Sequence, residues 1–280
     1  MNLAVAPPRL LAGRYHLEHV LGSGGMGVVY RARDLLHEQL GQPCSRVALK
    51  LLGESISECP DAHVLLYGEF ALARSLRHDR VVRVFSFEVD THSKIAFFTM
   101  ELLQGVTLDR LLLECPYGLP WQELQPIALQ LLDALAYIHQ KNVLHGDVKP
   151  ANVMVGEEGV CLFDFGLGHA QTQEAMGLPS VSRTRFNAWT PAYAAPELLD
   201  GGALSCAADV YGIACIMYEL ASGQRIGARS FTDRLARPAQ LPRHCWPALH
   251  SALAIDPQRR TVTVAELREV MACSRPRWCL

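Results

Sequence analysis

The chain has 280 residues, of which half are hydrophobic and 19% are charged, and its formal net charge at pH 7 is −2. This composition is typical of a globular protein, excludes a disordered or fibrous one, and gives no indication of a nucleic-acid partner. The nine cysteines include no Cys-x-x-Cys pair, which argues against a zinc site and favours a reducing compartment over secretion.

The sequence shows no signal for export or membrane insertion. Residues 1–13 contain no basic leader followed by an apolar core, and no later run has the unbroken apolar length of a membrane span. We therefore expect a soluble, cytoplasmic protein without a membrane partner. Residues 1–13 are interpreted as an N-terminal extension and residues 273–280 as a C-terminal tail, and the sequence leaves the oligomeric state open.

The first third of the chain favours strands. Short apolar or β-branched runs predict them over Leu17–Leu21, Val28–Ala32, Val47–Leu52, Val81–Glu88 and Ile95–Met100. A single helix interrupts this series. It is predicted over Asp61–Arg77, because apolar residues recur there at helical spacing.

After Gly105 the pattern becomes mainly helical. Helices are predicted over Thr107–Leu113, Trp121–Gln140, Ser205–Ser222 and Val264–Cys273, and short strands only around Val143–Val155 and Val160–Phe163. We predict an α+β fold with two lobes in one domain over 14–272. An antiparallel sheet lobe with one helix covers 14–100, a hinge covers 101–105, and a larger helical lobe covers 106–272.

Three glycines follow the first predicted strand. Gly22, Gly24 and Gly27 have the G-x-G-x-x-G spacing, which lets backbone amides approach a polyphosphate. This motif alone is weak, because dinucleotide-binding folds share it. Those folds require a helix after the glycines, whereas Val28–Ala32 continues as a strand. The glycines are therefore expected at the tip of a hairpin that covers phosphates.

A buried ion pair is expected between the next strand and the helix. Lys50 ends an apolar strand, and a lysine there is more often a surface residue whose ammonium reaches solvent. With buried neighbours, however, it needs an anionic partner. Glu69 on the predicted helix can supply the carboxylate, and the pair would orient the α- and β-phosphates.

The segment from Val143 to Met154 and the following Asp-Phe-Gly carry the most specific signals. Asp147 can accept the proton of an attacking hydroxyl, and Lys149 can neutralise a transferring phosphoryl group. Asn152 offers an amide oxygen to a hard cation, and Asp164 offers a carboxylate. A lone Asp-Phe-Gly could be a capped turn, but both segments occur in order.

In this order the motifs resemble those of eukaryotic-type serine/threonine protein kinases of bacteria, from about Tyr15 to Ala272. The resemblance implies a protein-kinase-like bilobal fold, ATP with magnesium or manganese, and protein substrates. It also implies that Val29, Ala48 and Met154 enclose the adenine, with Met100 as gatekeeper. The remaining nucleotide-binding residues implied are the backbone of Glu101 and Leu103 and the whole glycine loop, Leu21, Gly22, Ser23, Gly24, Gly25, Met26 and Gly27.

The same resemblance assigns residues of the second lobe. Thr190 would bond Lys149 and the catalytic base, which favours the serine/threonine type over the tyrosine type. Glu197 would pair with Arg260. Asp209 would anchor the backbone of the catalytic loop, which is the segment from Val143 to Met154.

The chain also departs from the family pattern. Gly146 replaces the arginine that commonly precedes the catalytic aspartate and receives a phosphorylated activation-loop residue. His169 stands where lysine or arginine is frequent, and Trp189 stands where glycine is usual. We therefore expect activity that does not depend on phosphorylation of the available acceptors, which are Ser180, Ser182 and Thr184.

Two alternatives remain. A pseudokinase would keep the fold without chemistry, but such proteins usually lack one of Lys50, Asp147, Asn152 and Asp164, all of which are present. A kinase for small molecules is disfavoured by the glycine loop together with Thr190 and the Ala-Pro-Glu that ends at Glu197, because these groups serve a peptide groove.

Overall fold

The computed structural model describes residues 9–24, 27–53, 62–166, 168–170, 190–226 and 235–273. The described residues form two compact units. The first comprises residues 9–77 and Val82–Leu103, and the second comprises His78–Val81 and the described residues from Gln104 onward. Several predicted positions lie outside the described residues, namely Gly25, Met26, Ser180, Ser182, Thr184 and Trp189.

The first unit is built on a six-stranded antiparallel sheet in the order β1-β2-β3-β4-β6-β5. Its strands are β1 Leu10–Leu11, β2 Tyr15–Gly24, β3 Gly27–Asp34, β4 Arg46–Leu52, β5 Val84–Val89 and β6 Ala96–Met100. One core cluster of this unit includes Tyr15, Leu49 and Phe97, which are almost completely buried. The Tyr15 and Phe97 rings meet edge to face with centroids 5.5 Å apart, so this cluster ties β2 to β6.

The described residues of this unit form two helices, α1 Leu35–Gln39 and α2 Ala62–Arg74. Helix α1 was not predicted, because five residues are too few to show a helical period. It is held by Asp34, whose side chain accepts hydrogen bonds from the Leu36 and His37 amides. Helix α2 ends three residues before the predicted Arg77, where the Ser75 hydroxyl donates to Leu72 O.

The second unit is mainly helical. Its helices are α3 Leu108–Glu114, α4 Trp121–Gln140, α5 Pro196–Leu199, α6 Cys206–Ser222, α7 Trp246–Ala252 and α8 Val264–Ala272. Its strands are β7 Val106–Thr107, β8 Val143–Leu144, β9 Val153–Gly156, β10 Gly159–Leu162 and β11 His169–Ala170. They form one sheet in the order β10-β9-β7 and a second of β11 and β8. No helix of the described ranges is long and apolar enough to cross a membrane.

Helix α6 is the most deeply buried element of the second unit. Every residue from Ala208 to Ala221 is buried. Ser205 caps its start by accepting from the Ala208 amide, and Gly223 ends it with φ +70°. Asp209 and Glu219 are the only charged residues of the buried run, so each needs polar partners within the unit.

Several predicted boundaries differ from the structure. Helix α4 has its predicted bounds, whereas α5 and α7 were not predicted. The strand predicted over Val81–Glu88 begins only at Val84, because Val81 forms an isolated bridge with Leu162. The strand signal over Val143–Val155 corresponds to β8 and β9, and a short 3₁₀ helix, Pro150–Asn152, precedes β9.

Asp90 organises the turn between β5 and β6. Its carboxylate accepts from the Ala12 amide at 2.7 Å, the His92 amide at 2.9 Å, and the Ser93 amide and hydroxyl at 2.7 and 2.9 Å. The bond from the Ser93 amide, followed by that from Ala12, lowers the pKa of Asp90 to about 2. The charged form of Asp90 therefore ties the β5–β6 turn to the residue that follows β1.

We predict that Asp90→Asn destabilises the protein and that the loss depends on pH. Because the folded pKa of Asp90 is lowered, its stabilisation is fully present above about pH 4 and is lost as the pH falls towards 2. Urea unfolding across this range should show a difference between wild type and variant that shrinks on acidification. Glu114→Gln, at an exposed position of α3, should show no comparable trend, and a pH-independent difference for Asp90→Asn would contradict the assignment.

Candidate active site

The predicted Lys50–Glu69 pair is present in the first unit. Lys50 lies on β4 and Glu69 on α2, and Lys50 Nζ is 2.6 Å from Glu69 Oε1. Their side chains are only 6% and 7% exposed. Because an isolated buried charge is costly, each group needs the other as its partner. The pair fixes an ammonium group at one face of the sheet.

The glycine-rich segment forms the tip of the hairpin between β2 and β3, in which Gly24 pairs with Gly27 and Gly22 with Val29. The glycines have different structural roles. A Cβ at Gly27 would lie 2.2 Å from Leu51 O, so only glycine allows β3 to pack on β4. A Cβ at Gly22 or Gly24 would meet nothing within 4 Å in the structure. Packing within this unit therefore does not explain these two glycines.

The other described residues of the predicted loop, Leu21 and Ser23, are exposed. Gly22 and Gly24 are exposed as well. The backbone from Leu21 to Gly24 is thus accessible to an anion.

The predicted adenine-binding residues of the first unit lie on neighbouring strands. Ala48 pairs with Met100 across β4 and β6, and Val29 pairs with Lys50 across β3 and β4. The Glu101 amide donates to Arg83 O at 2.9 Å. Because this amide is already bonded, the predicted bond from the Glu101 backbone to adenine would have to be made by its carbonyl oxygen.

Two further predicted adenine-binding residues lie at other places in the chain. Leu103 is the last residue of the first unit. Met154 belongs to the second unit, where it lies on β9 and pairs with Cys161 of β10 and Thr107 of β7.

The second unit brings three predicted catalytic residues together. Lys149 Nζ lies 2.5 Å from Asp147 Oδ2 and donates to Thr190 Oγ1 at 2.9 Å. The Asp147 and Lys149 side chains are 12% and 19% exposed, so both retain access to a reactant. Thr190 is the first residue of the described range 190–226, and its bond to Lys149 connects the start of that range to the candidate base.

Asn152 and Asp164 provide donors suited to a magnesium ion. Asn152 Nδ2 donates to Asp147 O and Oδ2 at 2.9 and 3.2 Å, which leaves the amide oxygen as the atom able to ligate a cation. The Phe163 amide donates to Asn152 O at 3.0 Å, so Asp164 follows directly on a residue bound to Asn152. Asp164 has φ +66°, a strained conformation of the kind that occurs at functional sites.

This donor set fits Mg²⁺ rather than a metal held by protein ligands alone. The described residues contain no group of three or more histidine, cysteine, aspartate or glutamate side chains that could hold a metal. Magnesium commonly uses one or two carboxylates and completes its coordination with water and phosphate oxygens. One carboxylate and one amide oxygen are consistent with that pattern.

Asp209, at the start of α6, holds the backbone of the catalytic loop. Its Oδ2 accepts from the His145 amide and its Oδ1 from the Gly146 amide, both at 2.9 Å. His139 at the end of α4 also bonds Oδ2, at 2.9 Å. Gly146 has φ +81°, which favours glycine over any other residue. The position that lacks the common arginine is thus a buried glycine in a left-handed conformation.

His145 connects the catalytic loop to the Asp-Phe-Gly segment, a role that the sequence did not indicate. Its Nδ1 accepts from the Asp147 amide at 3.2 Å, and its Nε2 lies 3.2 Å from Phe163 O. The first bond requires that the proton be on Nε2, which then donates to Phe163 O. The ring also lies 4.8 Å from the Phe165 ring. The only signal in the sequence that could have indicated this role is the position of His145 in the motif, two residues before Asp147.

The predicted pair between Glu197 and Arg260 is bidentate. Both guanidinium–carboxylate contacts measure 2.6 Å. Arg260 is buried and also donates to Ala254 O, Ile255 O and Ala207 O. Such a pair is directional and charge-assisted. It ties the start of α5 to the segment before α8.

With this geometry established, comparison with known proteins identifies the family. The profile described as "Protein kinase domain" matches residues 15–266. The chain belongs to the protein kinase family. It is similar to serine/threonine-protein kinase PkaA of Streptomyces coelicolor, with 32% identity over 90% of the chain and 48% of that protein. It is also similar to PknB of Mycolicibacterium smegmatis, with 30% identity over 93% of the chain and 43% of that protein.

A solved structure shows the same fold. The kinase domain of Mycobacterium tuberculosis PknI, crystallised as a point mutant, is 27% identical, with a TM-score of 0.68 over 96% of this chain and 98% of that one. The predicted α+β protein-kinase fold and the predicted bacterial serine/threonine kinase family are therefore confirmed. The kinase chain spans less than half the length of the two curated relatives named above.

We predict that Arg260→Gln destabilises the second unit of the kinase by about 3 kcal/mol, because Glu197 and three carbonyl groups would lose their donor. Chemical unfolding followed by circular dichroism measures this loss. Arg259→Gln, at the exposed neighbouring position, should change the free energy of unfolding by less than about 0.5 kcal/mol. Equal losses for the two variants would contradict the structural role of Arg260.

Proposed function

We propose that this chain transfers the γ-phosphoryl group of ATP to serine or threonine hydroxyls of protein substrates. The observation that carries the proposal is the placement of Lys149 between Asp147 and Thr190, at 2.5 and 2.9 Å. Lys149 keeps the Asp147 carboxylate oriented, and the pair presents a proton acceptor next to a cation. Family membership supports ATP and a protein hydroxyl as the two reactants.

Each group has a defined part in the proposed reaction. Asp147 accepts the proton of the substrate hydroxyl as its oxygen bonds to phosphorus and the bond from phosphorus to the bridging oxygen of ADP breaks. Lys149 offsets negative charge on the phosphoryl group during its transfer. Lys50, oriented by Glu69, binds phosphate oxygens, and amides of the glycine hairpin bind the same polyphosphate.

Magnesium would be held by Asp164 and the amide oxygen of Asn152, and manganese could take its place. When bound, the ion neutralises phosphate charge. Asn152 has a second part, because its amide nitrogen bonds Asp147 and so keeps the carboxylate of the base fixed relative to the ligand oxygen.

We predict that Asp147→Asn lowers phosphoryl transfer by about 10²- to 10⁴-fold, because the amide cannot accept the proton. Transfer of radiolabel from ATP with magnesium to a protein substrate measures this loss. Lys50→Met should also reduce transfer strongly, through loss of phosphate orientation. Asp79→Asn, at an exposed aspartate, serves as the matched control.

Phosphoamino-acid analysis of the product should show phosphoserine or phosphothreonine. Wild-type transfer to a small alcohol but to no polypeptide would instead favour a small-molecule kinase. Nucleotide binding without any transfer would favour a pseudokinase, and an unchanged rate in Asp147→Asn would contradict the assigned base.

We also propose that activity does not depend on phosphorylation of the activation loop. Gly146 offers no side chain to receive a phosphate, and its amide donates to the buried Asp209 carboxylate. The conformation of the catalytic loop is thus stabilised by a hydrogen bond that does not require a phosphate group.

Replacing Ser180, Ser182 and Thr184 together with alanine should therefore leave the transfer rate close to that of wild type. The measurement is the same radiolabel assay on enzyme purified with and without phosphatase treatment. A collapse of the rate in the triple variant, or on treatment of the wild type, would contradict independence from phosphorylation.

A further inference from the structure

Helix α6 carries a second buried carboxylate besides that of Asp209. Glu219 is 6% exposed, and its Oε2 accepts from the Tyr193 hydroxyl at 2.5 Å. Burial, reinforced by the bond to Glu219, raises the pKa of Tyr193 well above its usual value, so the hydroxyl remains the donor. None of the steps proposed for phosphoryl transfer uses this pair.

Arg225 lies over the Tyr193–Glu219 pair. Its Nε is 3.4 Å from Glu219 Oε1, and its guanidinium carbon is 5.3 Å from the centre of the Tyr193 ring. The Arg225 side chain is nevertheless 56% exposed. The acidic group is therefore covered, and the charge presented to solvent at this place is positive.

Tyr193 is close to the candidate base. Its amide donates to Thr190 O at 3.0 Å, and Thr190 accepts from Lys149. A Cβ at Gly212 would lie 2.8 Å from Val148 O and 3.6 Å from Tyr193 O, so these two backbone segments are neighbours. Asp147 and Tyr193 also line the same small cavity. We therefore expect a peptide that presents its hydroxyl to Asp147 to pass near Arg225, which lies exposed over the buried Tyr193.

We propose that Arg225 is a specificity-determining residue that favours peptide substrates with an aspartate or glutamate close to the phosphorylated residue. The proposal rests on the protein kinase activity proposed above. An exposed guanidinium can bind a substrate carboxylate through two parallel hydrogen bonds. Tyr193 restricts the position of the guanidinium by stacking, and Glu219 by pairing, so little order has to be gained on binding.

The opposite reading is that Arg225 moves aside and Glu219 receives a basic substrate residue. The structure disfavours it, because Glu219 is buried and already accepts from Tyr193. A substrate cation would have to be desolvated to reach the carboxylate and would replace a cation already present.

The test compares acceptor peptides that differ only in one residue, with aspartate, alanine or lysine placed in turn at each position on either side of the serine. For the wild type we expect kcat/KM to be highest when aspartate stands at one or two of these positions close to the serine. In Arg225→Gln the ratio of kcat/KM for the aspartate peptide to that for the lysine peptide should fall at least about five-fold. Arg225→Glu should invert the preference, and Arg225→Lys should restore part of it.

Arg243→Gln, at an exposed arginine of the same unit, removes the same charge and should keep the wild-type ratio. Circular dichroism and thermal unfolding establish that each variant is folded, and Arg225→Lys keeps the ion pair with Glu219 if the glutamine variant is unstable. Equal phosphorylation of all peptides by the wild type, a preference for lysine, or a ratio unchanged in Arg225→Glu would each overturn the proposal while leaving the kinase activity intact. Absence of transfer to any peptide or protein would overturn the proposed function as well.

Discussion

The arrangement of the candidate site in the second unit depends on the hydrogen bonds that the Asp209 carboxylate accepts. Both of its oxygens are occupied by backbone amides of the catalytic loop, and one also bonds His139. A carboxylate buried in an apolar helix is tolerated only when such donors surround it, so helix and loop hold each other in place. Since Asp147 directly follows the two anchored residues, the position of the candidate base is set by a residue that does no chemistry itself.

Other residues of helix α6 hold further parts of the second unit in place. Gly212, one turn after Asp209, lets the backbones of Val148 and Tyr193 come close to the helix. Glu219, two turns further on, bonds the Tyr193 hydroxyl and pairs with Arg225. Arg260, which holds Glu197, also donates to Ala207 O at the start of the helix. One buried helix therefore fixes the catalytic loop, the segment that carries Thr190 and the surface beside it.

The sequence predicted those parts of the site whose chemistry dictates the residue type. A buried lysine needs an acid, and the structure brings Lys50 and Glu69 together. Long periodic elements such as α4 were also predictable, because burial of one face imposes the period. Contacts made between distant positions were not. The bond from His139 to Asp209 spans 70 residues, and α1 depends on one capping side chain rather than on a period. Nothing local in the sequence distinguishes such a histidine from an exposed one.

Gly146 shows how a departure from the family pattern can be consistent with the same constraint. A left-handed conformation costs a non-glycine residue about 1–2 kcal/mol, so an arginine in the conformation of Gly146 would need other contacts to offset that strain. With glycine the conformation at φ +81° carries no such penalty. Glycine, however, leaves the unfolded loop with more conformations to lose. The free energy that orders the loop must then come from its buried contacts, which include the bonds from its amides to Asp209 and the bond between the His145 ring and Phe163 O. Order in this loop thus rests on buried contacts within the second unit.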